Sequence, residues 1–230
     1  MAVPLRQDYE VGERVAVDPI VWVVDDFVTV AERTHIVDLG AGNMEVALVS
    51  RLGENATSEQ RTGSVGWVEH DETPTVRSLV RRIGDLVGLP VTHAESLQVV
   101  HYGRTEEYRP HFDAWDVGSP KGRQKTARGG NRVVTALMYL NAVDAGGATI
   151  FPELGVEVEA VPGRLCLFHN LLAATGERHP SALHGGMPVT AGEKWACNLW
   201  FRERRYQPGA PSSRRTPPAA ERSTRRRGRR

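Results

Sequence analysis

The 230-residue sequence predicts an α+β protein whose strands close into a barrel or sandwich. Two stretches before residue 90 carry helix signals: apolar residues at helical spacing, or a capping pair. From residue 96 onward the chain changes to short runs rich in Val, Leu, Ile and aromatics, each broken by Gly or Pro. Helices first and many short strands afterwards indicate an α+β protein with its sheet closed on itself. There is no internal repeat.

In chain order, "IVWVVDDFV" (20–28) reads as a strand, Val-rich with one Trp. Thr29 and Glu32 then stand at the spacing of a capping box and open a helix that ends near "LGAGN". "EVALVSR" reads as a further strand. The strongest helix is "TPTVRSLVRRIGDLVGLP": Thr73 caps it, Pro74 fits its first turn, and Val76, Leu79, Val80, Ile83 and Val87 form its apolar face. Gly88 and Pro90 stop it. The β-rich runs are "SLQVVHYG", "RVVTALMYLN", "ATIFP", "VEVEAV", "GRLCLFHN" and "KWACNLWFRER". Residues 114–131, "AWDVGSPKGRQKTARGGN", lack such signals and read as a mobile polar lid, or as a crossover that touches nothing.

Charge is unevenly spread. From Arg202 to Arg230 there are 11 arginines against Glu203 and Glu221, leaving 18 basic and 26 acidic side chains in residues 1–201. The expected organisation is an N-terminal helix/strand region (1–95) carrying a substrate loop, a core (96–205) and a disordered basic tail (206–230). The tail's charge suits an acidic partner, and a solvated extension with no specific role is the alternative. Nucleic acid is disfavoured, because no aromatics interleave with the arginines. No apolar run approaches the ~20 residues of a membrane span, and "MAVPLRQDYEVGERV" has no apolar secretory core. Cys166 and Cys197, each in a strand-like context, read as buried free thiols. These features together predict a cytoplasmic protein.

The chemistry concentrates in "PHFDAWD". If that segment is extended, His111 and Asp113 aim at one point. Far downstream, "HGGMPVTAGEKW" offers His184 and Lys194. Two histidines and a carboxylate form the facial triad of non-haem Fe(II) oxygenases, and no thiolate stands near to favour zinc. His179 is the alternative distal histidine. There is no dinucleotide fingerprint, phosphate-binding loop or nucleophile elbow.

"YGRTEEYRPHFD", "RVVTALMYLNAVDAGGATIFP", "VPGRLCLFHN" and "HGGMPVTAGEKWACNLWFR", in that order, resemble the catalytic core of the prolyl 4-hydroxylase family, in its microbial and collagen-type branch. The resemblance implies a double-stranded β-helix (jelly roll) that uses Fe(II), 2-oxoglutarate and O2, with ascorbate as reductant. It implies His111, Asp113 and His184 as iron ligands, the carboxylate arguing for hydroxylation over halogenation. Lys194, Tyr139 and Tyr102 would bind 2-oxoglutarate. Arg132, Trp200, Arg61 and Trp67 would face the substrate, the last two from a loop, "RTGSVGWVE". Core packing is the alternative for both tyrosines and for Trp200, and a strand-end surface charge for Arg132. The implied substrate is a proline-containing peptide or protein. A free amino acid or small metabolite is the alternative, and an inactive jelly-roll binding module a remote one.

Overall fold

The computed structural model describes residues 5–46, 48–51, 54–57 and 62–208. The first half contributes β1 (Glu13–Val17), β2 (Ile20–Val24), α1 (Val30–Ala41), β3 (Glu45–Val46), β4 (Leu48–Arg51), β5 (Glu54–Thr57), β6 (Ser64–Val68) and α2 (Pro74–Val87). Then come β7 (Leu97–Tyr102), β8 (Tyr108–His111), α3 (Pro120–Thr126), β9 (Arg132–Tyr139), β10 (Ala145–Gly146), β11 (Thr149–Phe151) and β12 (Val156–Val158). The chain closes with β13 (Leu165–His169), β14 (His184–Gly186), β15 (Val189–Ala191) and β16 (Lys194–Arg202).

Eight strands form the major sheet in the order β1-β2-β13-β9-β16-β7-β6-β3, and four form the minor sheet, β12-β11-β14-β8. Alternation along the strands separates two cores. Leu97, Val99, Ala136, Met138, Leu199 and Phe201 pack with Ile36 of α1 and Leu79, Val80 and Ile83 of α2. Val100, Tyr102, Leu137, Tyr139 and Ala196 face the other way and meet Phe151 and Val158 of the minor sheet. The two sheets thus face one another as a jelly roll, with the helices behind the larger.

Local chemistry explains both long helices. Thr29 accepts from the Glu32 amide while the Glu32 carboxylate accepts from Thr29, and Arg82 of α2 clamps that same carboxylate at 2.9 and 3.0 Å. Thr73 caps α2, Pro74 fills its first turn, and Gly88 ends it at φ 72°. A Cβ at Gly40 would lie 2.6 Å from Val99 Cγ1, so glycine is what lets α1 lie close on β7.

Three expectations are corrected. The strand that opens at Ile20 stops at Val24, and the chain turns before α1. The 114–131 segment is no structureless lid: Ser119 caps α3, Pro120 starts it, and the Asn131 side chain grips both backbone groups of Trp115. Glu203 accepts from the Asn131 amide at 2.6 Å and so ties the segment to the end of β16. Trp67 lies on β6 rather than in a loop. Arg61 and residues 209–230, hence nearly all of the expected tail, lie outside the described residues.

Candidate metal and anion site

His184 on β14 pairs directly with His111 at the end of β8. Gly185 permits that register, because a Cβ there would lie 2.9 Å from the Tyr108 carbonyl. Asp113 follows β8 by two residues. One ligand atom from each of His111, Asp113 and His184 lies within 4.8 Å of the others. The imidazoles are set alike: His111 Nδ1 is 3.0 Å from the Arg109 carbonyl and His184 Nδ1 is 3.0 Å from the Ala182 carbonyl. A carbonyl only accepts, so each Nδ1 carries the proton and each Nε2 offers its lone pair. The Nε2 atoms lie 3.8 and 3.5 Å from the Asp113 carboxylate.

Asp113 is buried, which alone would raise its pKa. His184, Arg132 and His111 outweigh that and hold it down to about 2, so the carboxylate is ionised. Thr135 of β9 donates to Asp113 Oδ2 at 2.7 Å, and Asn170 donates to Thr135 at 2.8 Å. A buried polar chain thus orients the carboxylate from the major sheet. Two imidazole nitrogens and one fixed carboxylate oxygen on one side of a cavity suit Fe(II) with open positions.

Lys194 begins β16, opposite Tyr102 of β7. Its ammonium donates to the Gly147 carbonyl and, among the described residues, pairs with no carboxylate. It is 4% exposed, and burial pulls its pKa down to about 8. A buried cation without a counter-ion is costly unless an anion joins it. One cavity of about 720 Å3 reaches Lys194, Tyr102, His111, Asp113 and His184, so an anion held by Lys194 would share space with the metal position.

The other expected residues sort differently. Tyr139 is fully buried, outside the cavity lining, and donates to the Thr149 hydroxyl at 2.8 Å. It therefore reaches the cavity through Thr149 rather than by its own hydroxyl. Arg132 is no surface charge: it forms a bidentate pair with Glu95 at 2.7 and 2.9 Å and stacks on Trp200 at 3.6 Å. Trp200 lines the cavity, with Trp67 at 6.5 Å from it and half exposed. His179 faces Asp18, and His101 faces Glu193.

Sequence reasoning missed Tyr108, stacked on His111 at 3.6 Å, along with Glu95, Thr135, Thr149 and Asn170. Only Tyr108 had a local signal, as an aromatic three residues ahead of the ligand histidine on the same short strand.

The model of the 2OG-Fe(II) oxygenase superfamily matches residues 97–202. Among curated relatives, "Probable prolyl 4-hydroxylase 10" of Arabidopsis thaliana is 31% identical over 216 residues, 85% of this chain and 73% of that protein. "Prolyl 4-hydroxylase subunit alpha-1" of Rattus norvegicus is 38% identical over 181 residues, 78% of this chain. The chain spans only about a third, 34%, of that subunit's length. A solved structure of the viral collagen prolyl hydroxylase of Paramecium Bursaria Chlorella virus-1, complexed with 2OG, shares the fold with a TM-score of 0.63. It is 21% identical, over 79% of this chain and 95% of the viral one.

Proposed function

Because the chain belongs to the 2OG-Fe(II) oxygenase superfamily, with prolyl 4-hydroxylases as its relatives, we propose that it hydroxylates proline in a peptide or protein. Fe(II), 2-oxoglutarate and O2 are the cofactor and cosubstrates of this reading. One observation carries it: the counter-ion-free ammonium of Lys194 opens on the same cavity as the His111, Asp113 and His184 ligand atoms. That is the arrangement a dicarboxylate needs if one end is to reach a metal and the other a buried cation.

When bound, iron with 2-oxoglutarate supplies the oxidation in which O2 gives one oxygen to a C–H bond and one to succinate, with loss of CO2. The chain's own part is positional. His111 and His184 present Nε2, Asp113 stays ionised, and Thr135 and Asn170 hold its carboxylate. Lys194, with Thr149 and Tyr102 beside it in the lining, receives the distal carboxylate of 2-oxoglutarate. Trp200 and Trp67 give an aromatic wall to which a proline ring can pack, and Arg132 keeps Trp200 in place.

Ascorbate as reductant and a cytoplasmic setting belong to the same proposal. Cys166 and Cys197, both buried and free, suit a reducing compartment.

The test is anaerobic loading with Fe(II) and 2-oxoglutarate, then oxygen with proline-rich peptides or free proline, followed by mass spectrometry. Peptide that gains one oxygen only with 2-oxoglutarate, and not with His111→Ala, supports the reading. Oxidation of free proline alone moves the substrate to small molecules. Absence of succinate under every condition overturns the oxygenase reading.

A further inference from the structure

The cavity is charged against the grain of the molecule. Residues 1–202 carry 19 basic and 26 acidic side chains, a balance of −7. Yet seven basic side chains and only three acidic ones line this cavity, a balance of +4. Fe(II) and the 2-oxoglutarate dianion cancel one another, so loading the site leaves that surplus intact.

Its position is specific. Glu95 satisfies the inner arginines, Arg132 and Arg202, and Lys194 is committed to the cosubstrate. On the α3 side the lining carries Lys121, Lys125, Arg128 and Arg178 against Asp116, a local balance of +3. Lys121, Lys125 and Arg128 follow one another at spacings of four and three, on and just past α3, and so share one face. Like charges at that spacing oppose the helix, a cost that makes sense if the face meets an anion. Burial first, and then the cations Arg128, Lys121, Arg132 and Arg202, push the pKa of Lys125 down, so the local field is positive. Arg178 lies across the Phe112 ring, 4.3 Å from its centre, between the two ligands of the 111–113 segment. Among the described residues no carboxylate pairs with Lys125, Arg128 or Arg178.

Resting on the proline-hydroxylation reading, we infer that the substrate is an acidic peptide segment. Its proline enters beside Trp200, and Asp or Glu residues within a few positions of it lie against the cationic face of α3 and Arg178. A peptide is favoured over a nucleic acid because the cavity also presents Trp67, Trp200, Gln98 and Asn198, and the cation stacked on Trp200, Arg132, is already paired with Glu95 and not free to track a second run of phosphates.

The experiment uses the full chain and three peptides of one length around one central proline, with flanking residues Glu, Gln or Lys. Binding is read by fluorescence anisotropy with Co(II) and 2-oxoglutarate bound, and turnover by mass spectrometry with Fe(II). Glu peptides should bind and react about ten-fold better than Gln peptides at low salt, and Lys peptides worse than both. At 0.5 M salt the preference should shrink to about two-fold. In the double variant Lys125→Glu/Arg128→Glu the order should invert, and because the readout is a ratio between peptides, partial loss of folded protein does not imitate it. Equal use of all three peptides overturns the inference but leaves proline hydroxylation standing. Turnover of none of them counts against hydroxylation itself, while anisotropy still judges the charge preference. An oligonucleotide that displaces the Glu peptide, and loses that ability in the double variant, would make the face a nucleic-acid site and overturn the inference.

Discussion

Replacing Lys194 by methionine should make the protein more stable and less able to bind its cosubstrate. The ammonium is buried without a counter-ion, and its pKa stands near 8 where a free lysine has 10.5. Keeping it charged at pH 7 therefore costs about 3 kcal/mol of desolvation. Methionine has a similar length and no charge, so Lys194→Met removes that cost. It also strands the Gly147 carbonyl, which returns about 1–2 kcal/mol. The net expectation without 2-oxoglutarate is a gain of about 1–2 kcal/mol at pH 7. The gain has its own pH signature. Lys194 has a lower pKa folded than unfolded, so between pH 8 and 10.5 the unfolded chain binds more protons. Wild-type stability thus rises across that window, and the advantage of the variant closes. With 2-oxoglutarate present the order reverses: losing a desolvated ammonium–carboxylate contact costs about 3–4 kcal/mol, roughly a 10²- to 10³-fold weaker Kd. Co(II) affinity should stay near wild type, since Lys194 is not among the ligand atoms. Urea unfolding followed by tryptophan fluorescence, at pH 7 and pH 10 with and without 2-oxoglutarate and Co(II), measures every term. A variant less stable than wild type without cosubstrate, or one equally stabilised by it, would refute the reasoning.

Three further outcomes can be read from the same fold. Thr135→Val removes the donor to Asp113 and strands the Asn170 amide, so Co(II) or Fe(II) affinity should fall about 10- to 100-fold with the fold retained. Unchanged affinity in a calorimetric titration would take the hydroxyl out of the site. Glu95→Gln uncouples Arg132 and Arg202 from one buried carboxylate, and should lower unfolding stability by about 3–5 kcal/mol. A loss under 1 kcal/mol would mean that water compensates the arginines. His169 is buried against the Tyr9 hydroxyl at 2.9 Å, and burial lowers its pKa to about 4 from 6.5. The unfolded chain then binds the extra proton, so about 3 kcal/mol should be lost as pH falls from 6.5 towards 4. His169→Gln should flatten that limb of the pH–stability curve, and an unaltered limb would assign the acid sensitivity elsewhere.

What could be read from the sequence divides by the range of the interaction that fixes each feature. Capping pairs, helix periodicity and the HxD spacing are written within a few residues. Thr29 with Glu32, Thr73 with Pro74, and His111 with Asp113 could all be picked out before any fold was known. The distal partners His184 and Lys194 are legible only through the family's order of motifs, because nothing local ties residue 184 to residue 111; only the pairing of β14 with β8 does. Arg132 shows the limit more sharply. Its sequence neighbours present it as a charge at a strand end, whereas its energy is set by Glu95, 37 positions away, and by the Trp200 face. Short α3 was illegible for the opposite reason. Its seven residues, five of them polar with Pro120 and Gly122, carry no apolar periodicity, and its only signs are Ser119 and Pro120 at the start.

The features that sequence leaves blank are also those that bear on chemistry. A buried polar group survives only when distant residues satisfy it, so a list of buried polar side chains is close to a list of what the fold is built to hold in place. Asp113, Thr135 and Asn170 on one side, and Glu95 and Arg202 on the other, are joined through Arg132, which pairs with Glu95 and lies 3.8 Å from Asp113. Lys194 stands apart from both, with one backbone carbonyl as its partner and no carboxylate. A polar network linked through Arg132, beside a buried cation that has no carboxylate partner among the described residues, leaves an anion as the missing part. That is the strongest reason to regard Lys194, ahead of any aromatic wall residue, as the side chain whose cost to stability has to be repaid in binding.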